Sequence, residues 1–215
     1  MKIIMSKIHL ELLDEKRKQV FYQLKNFFSI GYLAGGTALA LQINHRISED
    51  FDIFINKSID NNLRLKIKKV FPKAKFTFIS EDQINLVTED NIKITFLWYY
   101  FPTINKLIKT DSISLASVDD IIADKAMTIG RRAVWRDYID IFYLIKEKQI
   151  SLKKIILLAK KKFKREFVET QFLEQLVYFD DLQIAPINFI NKSYSEKEIK
   201  SFLKKKVKTY ITKTI

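Results

Sequence analysis

No cysteine occurs among the 215 residues, which excludes both a disulfide framework and a thiolate metal site. A chain of this length that is 47% hydrophobic can bury a core without such staples, and the lack of cysteine suits a reducing compartment. There are two histidines, His9 and His45. They form no His/His/carboxylate pattern of the kind a zinc enzyme needs. A Ser-His-Asp reading built on Ser48 and His45 lacks the strand-turn-helix signature of a nucleophile elbow. Long hydrophobic runs are also missing. The longest spans Phe96 to Phe101, far short of the roughly 20 residues that cross a bilayer as a helix. Near the start the only apolar run is Ile3-Ile4-Met5, which does not make a secretory h-region. The expected location is the cytoplasm. With four glycines and three prolines, little of the chain is left for linkers, and no internal repeat stands out.

Basic residues are abundant. The formal charge is +13, and residues 116–215 hold 21 Lys/Arg against 13 Asp/Glu, a net +8, with +5 left for 1–115. Residues 146–165 carry nine basic residues and one acid, Glu147, and 200–213 carry six lysines and none. Such a field attracts polyanions and speeds their encounter. A solvated lysine-rich surface reads the same way, and charge alone does not separate the two.

The periodicity changes along the chain. Residues 6–28 carry a helical stripe through Ile8, Leu12, Leu13, Val20, Leu24 and Phe27/Phe28. A short strand, Tyr32–Ala34, leads into Gly35-Gly36, and Thr37–Asn44 reads as a helix. Phe51–Ile55 alternates as a strand. Residues 61–71 are helical again, and strands follow at 76–79, 84–88 and 92–98, with a hairpin turn at Glu89-Asp90-Asn91. Ser112–Leu115 reads as a further strand. From Ser117 onward the pattern is helical, opened by a Ser117/Asp120 capping box and continued over 135–147, 151–164, 168–178 and 195–208. This order predicts an α+β fold. Residues 1–115 form a mixed-sheet module with flanking helices, and residues 116–215 form a basic helical region packed on it.

The chemistry concentrates between Gly35 and Asp52. Two glycines between a strand and a helix allow a tight turn and close approach of a ligand to the backbone. The free N–H groups of the following helix suit phosphate. Asp50 and Asp52 are two apart on a strand, so both carboxylates face one side while Phe51 and Ile53 face the other. Two like charges side by side call for a cation. Magnesium is the natural one, held by one or two carboxylates together with substrate phosphates. Each element alone is common in turns and sheet edges, and their combination carries the signal. Trp98, Tyr99, Tyr100 and Phe101 could stack bases, although an aromatic run at a strand end more often packs.

The pattern Gly35-Gly36-Thr37, then His45-Arg46-x-Ser48, then Asp50-x-Asp52 resembles the AbiEii/AbiGii-type toxins of the polymerase-beta-like nucleotidyltransferase superfamily. A second stretch is similar to that family's later motifs: Asp120-x(3)-Asp124-Lys125-Ala126, Arg131/Arg132, and Arg136-Asp137-Tyr138-Ile139-Asp140. The resemblance covers about residues 30–145. It implies a nucleotidyltransferase fold that moves a nucleoside monophosphate from a triphosphate to an acceptor, RNA or tRNA above all, in a toxin–antitoxin or phage-defence setting with an antitoxin protein as partner. It further implies that Gly35, Gly36 and Thr37 hold nucleotide phosphates and that Asp50 and Asp52 ligate Mg2+. Arg46 and Ser48 shape the same loop, Lys125 reaches the triphosphate, and Asp137 serves as a polar or catalytic group. Asp137 and Asp140 read equally well as partners of Arg131, Arg132 or Arg136.

The chain departs from the superfamily at one position. Many members carry a third acid on a later strand. Here that strand is Ile92–Leu97, and Thr95 takes the place. Three outcomes stay open: one metal suffices, another acid such as Asp137 contributes, or the fold binds nucleotide or nucleic acid without turnover.

Overall fold

A computed structural model describes residues 8–214; the Ile3-Ile4-Met5 run lies outside the described residues. The chain divides into two compact units. The first comprises residues 1–101 and 106–117, the second 102–105 and 118–215.

The first unit is built on a five-stranded mixed sheet. Its strands are β1 (Gly31–Ala34), β2 (Phe51–Ile55), β3 (Lys75–Ile79), β4 (Gln83–Val87) and β5 (Lys93–Trp98). They lie in the order β1-β2-β5-β4-β3. The β2/β5 pair is parallel and the other three pairs are antiparallel. Helices α1 (Glu15–Gln23), α2 (Gly35–Ile43) and α3 (Asn61–Val70) complete the unit. Alternation assigns the two faces of the sheet. Leu33, Phe51, Ile53, Ile55, Ile84, Leu86, Ile94 and Phe96 form the buried face. Phe27 meets this face edge-on, its ring centroid 4.9 Å from that of Phe96. The opposite face carries Asp52 and Phe54 of β2 with Thr95 and Leu97 of β5.

Two expectations change. The stripe over 6–28 is not one helix. A 3-10 turn at Leu10–Leu12 ends where Leu13 becomes extended, and Asp14 starts α1 by accepting a hydrogen bond from Arg17 N–H. This side-chain cap competes successfully with a continuous helix. At the other end α1 gives way to a 3-10 turn at Leu24–Phe27, and Phe28, at the end of the stripe, is 65% exposed. Residues 112–115 form no strand of their own; Leu115 makes isolated bridges to Leu33 and Ile108. The remaining strand expectations agree with the structure to within a residue or two. The hairpin turn places Asn91 at φ 61°, a left-handed conformation that Asn tolerates.

The second unit is helical: α4 (Val118–Arg131), α5 (Trp135–Lys146), α6 (Leu152–Phe163), α7 (Glu169–Val177) and α8 (Glu196–Thr214). Helix α4 packs against α5, α6 and α7. Adjacent residues on a helix are about 100° apart, so Asp124 and Lys125 of α4 address different neighbours. Lys125 Nζ lies 2.5 Å from Asp137 Oδ1 and 2.8 Å from Asp140 Oδ2 on α5. Asp124 Oδ1 and Asp120 Oδ1 lie 2.8 and 3.2 Å from Lys162 Nζ on α6. The carboxylate of Asp120 also accepts hydrogen bonds from the backbone N–H groups of Ile104 and Asn105. Tyr138 donates its hydroxyl to the carbonyl of Gln175 at 2.8 Å, and burial pushes its pKa up to about 12.

Candidate active site

The segment after β1 cannot continue as a strand, because Gly35 sits at φ +66°. This conformation costs an L-residue roughly 1–2 kcal/mol. Helix α2 begins at once. Its N-cap position is Ala34, which offers no side-chain cap, and its first turn holds no acid. The first N–H groups of α2 therefore keep their capacity for an external anion.

Register brings Asp52 to this turn. Ala34 pairs with Asp52 across β1/β2. A Cβ on Gly35 would collide with Asp52 Oδ2, and one on Gly36 would stand 2.7 Å from Arg46 Nη2 and 3.1 Å from Ser48 Oγ. Arg46 is 3% exposed and donates from Nη1 to the carbonyl of Ile47 at 3.0 Å, so it cannot simply swing aside. Thr37 is buried. Its Oγ1 bonds the carbonyl of Asp50 and lies 3.0 Å from Ser48 Oγ. With a single hydroxyl proton, Thr37 donates to the Asp50 carbonyl and accepts from Ser48. Its side chain therefore holds the backbone at Asp50. Gly35, Gly36, Thr37, Arg46, Ser48, Asp50 and Asp52 thus form one cluster.

Replacing Gly35 by Ala tests this cradle. The strained φ and the overlap with Asp52 act together. We expect a stability loss of at least about 1–2 kcal/mol, seen as a lower denaturant midpoint, together with loss of nucleotide binding. Normal nucleotide binding in a folded Gly35→Ala protein would refute the close-packed turn.

A residue with no local sequence signal joins the cluster. Arg17 of α1 donates from Nε to the carbonyl of Glu49 at 3.3 Å. Its Nη2 lies 3.9 Å from Glu49 Oε1, while Nη1 pairs with Asp14. The guanidinium thereby ties α1 to the residue immediately before Asp50, across 32 positions of sequence. The Asp14 carboxyl is held below the usual range chiefly by the backbone N–H of Arg17. Because this pKa is depressed on folding, the stabilisation is complete above the unfolded carboxyl value and is lost as pH falls through the folded one. Arg17→Ala should leave the protein folded and weaken Mn2+ binding by roughly 10-fold, as expected for a support behind a ligand. Unchanged Mn2+ titration in this variant would remove Arg17 from the site.

The donor set fits a hard divalent cation. Asp50 and Asp52 supply carboxylate oxygens, and the missing Cβ of Gly35 leaves the room that Asp52 uses. Among the described residues no three His, Asp or Glu side chains gather as a metal cluster. A cation on Asp50 and Asp52 would take its remaining oxygens from phosphates and water, the habit of Mg2+. The position expected for a third acid is directly beside Asp52: the parallel β2/β5 register pairs Asp52 with Thr95. On that face β5 presents Lys93, Thr95 and Leu97, none of them acidic.

In the second unit, Lys125 and Asp137 are held together with Asp140, all largely buried. The second oxygen of Asp137 is buried and takes no hydrogen bond from any described residue. Lys125 pairs with both aspartates.

Known proteins match along most of the chain. The family model described as nucleotidyl transferase AbiEii toxin, type IV toxin–antitoxin system, matches residues 21–95 and 83–210. An uncharacterized protein of Aquifex aeolicus is 31% identical over 212 residues, covering 96% of this chain and 99% of its own. The crystal structure of JHP933 from Helicobacter pylori superposes with TM-score 0.57 at 20% identity, over 94% of each chain. MenT4, a nucleotidyltransferase toxin of Mycobacterium tuberculosis, superposes with TM-score 0.62 at 14% identity, over 89% of this chain and 80% of its own. At such identities the two structures speak for the fold: a five-stranded mixed sheet with flanking helices, then a helical half.

Proposed function

Because the chain belongs to the AbiEii nucleotidyltransferase toxin family, we propose that it transfers a nucleoside monophosphate from a nucleoside triphosphate to an RNA acceptor, tRNA first among them, with Mg2+ as cofactor. The observation that carries this reading is the meeting of an uncapped helix start and the Asp52 carboxylate at one glycine turn, with the Asp50 backbone held beside it by Thr37.

In the proposed reaction an acceptor hydroxyl attacks the α-phosphorus. The bond from that phosphorus to the β-phosphate bridging oxygen breaks, and pyrophosphate leaves. The N–H groups of Gly36 and Thr37 at the start of α2 receive triphosphate oxygens. Thr37 and Ser48 hold the Asp50 backbone, and Arg46 fixes the loop between α2 and β2. Asp50 and Asp52 would hold the divalent cation. That ion, when bound, supplies charge neutralisation for the triphosphate and the departing pyrophosphate. From the second unit we assign Lys125 to the triphosphate and Asp137 to a polar role at the reacting groups, as the family resemblance implies. The phosphoryl chemistry asks the protein mainly for positioning and electrostatics, which backbone donors and fixed carboxylates provide.

The setting we propose is the cytoplasm, where triphosphates and tRNA are found, with an antitoxin protein as the controlling partner. No helix among the described residues is long and apolar enough to cross a membrane. A second reading rests on Thr95 beside Asp52: a fold that binds nucleotide or nucleic acid without turnover. The test is label transfer. Purified protein, Mg2+, each of four α-phosphate-labelled triphosphates and total tRNA are incubated together. Label on RNA with one nucleotide establishes the transferase and its preference. Nucleotide binding with no label on RNA favours the second reading.

A further inference from the structure

The second unit carries a basic groove that the nucleotide site does not use. It lies between the N-terminal end of α6 and the last turns of α8, and encloses about 450 Å3. Lys153 of α6 and Lys206 and Lys213 of α8 line it, with Gln149 and Thr209 between them. Lys206 and Lys213 are seven positions apart, so they lie on one helix face about 10 Å apart along the axis. All three lysines are exposed, and no ion pair holds any of them among the described residues. On the same helices Lys154 pairs with Asp119, Lys160 with Glu169 and Lys200 with Glu196, while Lys206 lies over the ring of Phe202 and keeps its full charge. The groove itself is lined by no acid. The first turn of α6 has no acid either and bears Lys153 and Lys154, which the positive end of the helix dipole disfavours. Uncompensated charge of one sign, spaced along a groove and supplemented by amide and hydroxyl groups, is the arrangement that tracks a polyanion.

We propose that this groove docks the sugar–phosphate backbone of RNA. It rests on the transferase reading only in identifying that RNA with the acceptor. A protein partner fits less well. Protein interfaces centre on exposed aromatic or aliphatic anchors that become buried; the apolar side chains lining this groove, Ile145, Ile150, Leu152 and Tyr210, are already buried or half-buried, and the exposed aliphatic residue of α8, Ile211, belongs to a different groove beside Val177 and Lys208. Lysine ammonium groups read phosphate as point charges, so the contact is expected to favour RNA broadly over any one base sequence.

The test compares two triple variants of the full chain. One is Lys153→Gln/Lys206→Gln/Lys213→Gln. The control, Lys68→Gln/Lys69→Gln/Lys75→Gln, removes the same charge from exposed positions of the first unit. Binding of fluorescent total tRNA is measured without nucleotide over a range of salt concentrations. The groove variant is expected to bind roughly 10- to 100-fold more weakly, with a salt slope shallower by about 2–3, while the control stays within about threefold of wild type. Equal weakening in both triples overturns the proposal in favour of a diffuse field. Polyglutamate that competes as tightly as tRNA of equal charge, and through the same three lysines, overturns it in favour of an acidic protein. If wild type binds tRNA through the groove but transfers no label, the transferase reading fails and the groove stands. If the groove triple labels tRNA normally at sub-saturating RNA, the groove fails and the transferase stands.

Discussion

Asp50→Asn and Asp52→Asn, singly, should each cut label transfer by at least roughly 10²- to 10³-fold, the scale on which removing one charge-stabilising group acts. Both should leave the fold in place. The reason lies in the distribution of contacts. Asp52 is on β2, whose buried face consists of Phe51, Ile53 and Ile55, and the amide keeps the shape of the carboxylate. What changes is charge. In the proposed reaction Asp50 and Asp52, beside an uncapped helix start, would hold a cation that completes the site together with a triphosphate. With one carboxylate neutralised, the cation loses a ligand, and the triphosphate loses the charge that balances it. Unfolding curves that superpose on wild type, with Mn2+ affinity lowered and transfer abolished, are the expected combination. If Asp52→Asn transfers at a wild-type rate, Asp52 is not a metal ligand, and the family assignment of the site fails for this chain. Thr95 offers a sharper contrast. Thr95→Asp would place a third acid directly beside Asp52 on the paired strand. A gain in Mn2+ affinity in that variant would show that the site lacks only this ligand.

The largest expected stability effect lies elsewhere. Lys162→Ala should lower the free energy of unfolding by about 3–5 kcal/mol, the usual consequence of leaving buried charge without its partner. The Lys162 side chain is completely buried, as is that of Asp120, and Asp124 is 14% exposed. Removing the ammonium strands two carboxylates in the core of the second unit. Asp120 must also keep receiving the N–H groups of Ile104 and Asn105, which limits how far it can move toward water. The triple variant Lys162→Met/Asp120→Asn/Asp124→Asn should recover much of the loss, because matched neutral groups remove the desolvated charge from both sides. A Lys162→Ala protein within about 1 kcal/mol of wild type in urea unfolding would contradict this account. So would a triple variant less stable than the single one.

These two predictions divide the second family-like stretch by physics. Asp120 and Asp124 resemble family motif positions, yet their carboxylates serve Lys162 on α6. Lys125, next to Asp124 on the same helix, turns to Asp137 and Asp140 on α5 instead. The stretch that resembles one family motif thus addresses two neighbours from different faces of α4: Lys162 of α6 on one, and Asp137 and Asp140 of α5 on the other. The Ser117/Asp120 pattern also has the spacing of a capping box. The structure adds what that spacing could not contain: Asp120 gathers backbone donors from residues 104 and 105 and a lysine from 42 positions downstream.

Much of the site was legible without coordinates because it depends on short-range geometry. A strand alternates every two residues, so Asp52 had to lie opposite Phe51 and Ile53, while Asp50 directly precedes β2. A glycine pair between strand and helix points to a left-handed turn, and Gly35 occupies one. Helix and strand periods placed most elements, failing where a side-chain cap at Asp14 interrupted an apolar stripe and where Leu115 bridged without forming a strand. The tertiary structure alone decided which residues stand beside the carboxylates. Parallel pairing of β2 with β5 set Thr95 against Asp52, a register that depends on both strands and the chain between them. Arg17 reached the Glu49 carbonyl, and Lys162 reached Asp120, through contacts whose partners are far apart in sequence. Periodicity determines the face on which a side chain lies, because it is a property of neighbouring residues. The partner on that face is selected by packing of the whole domain.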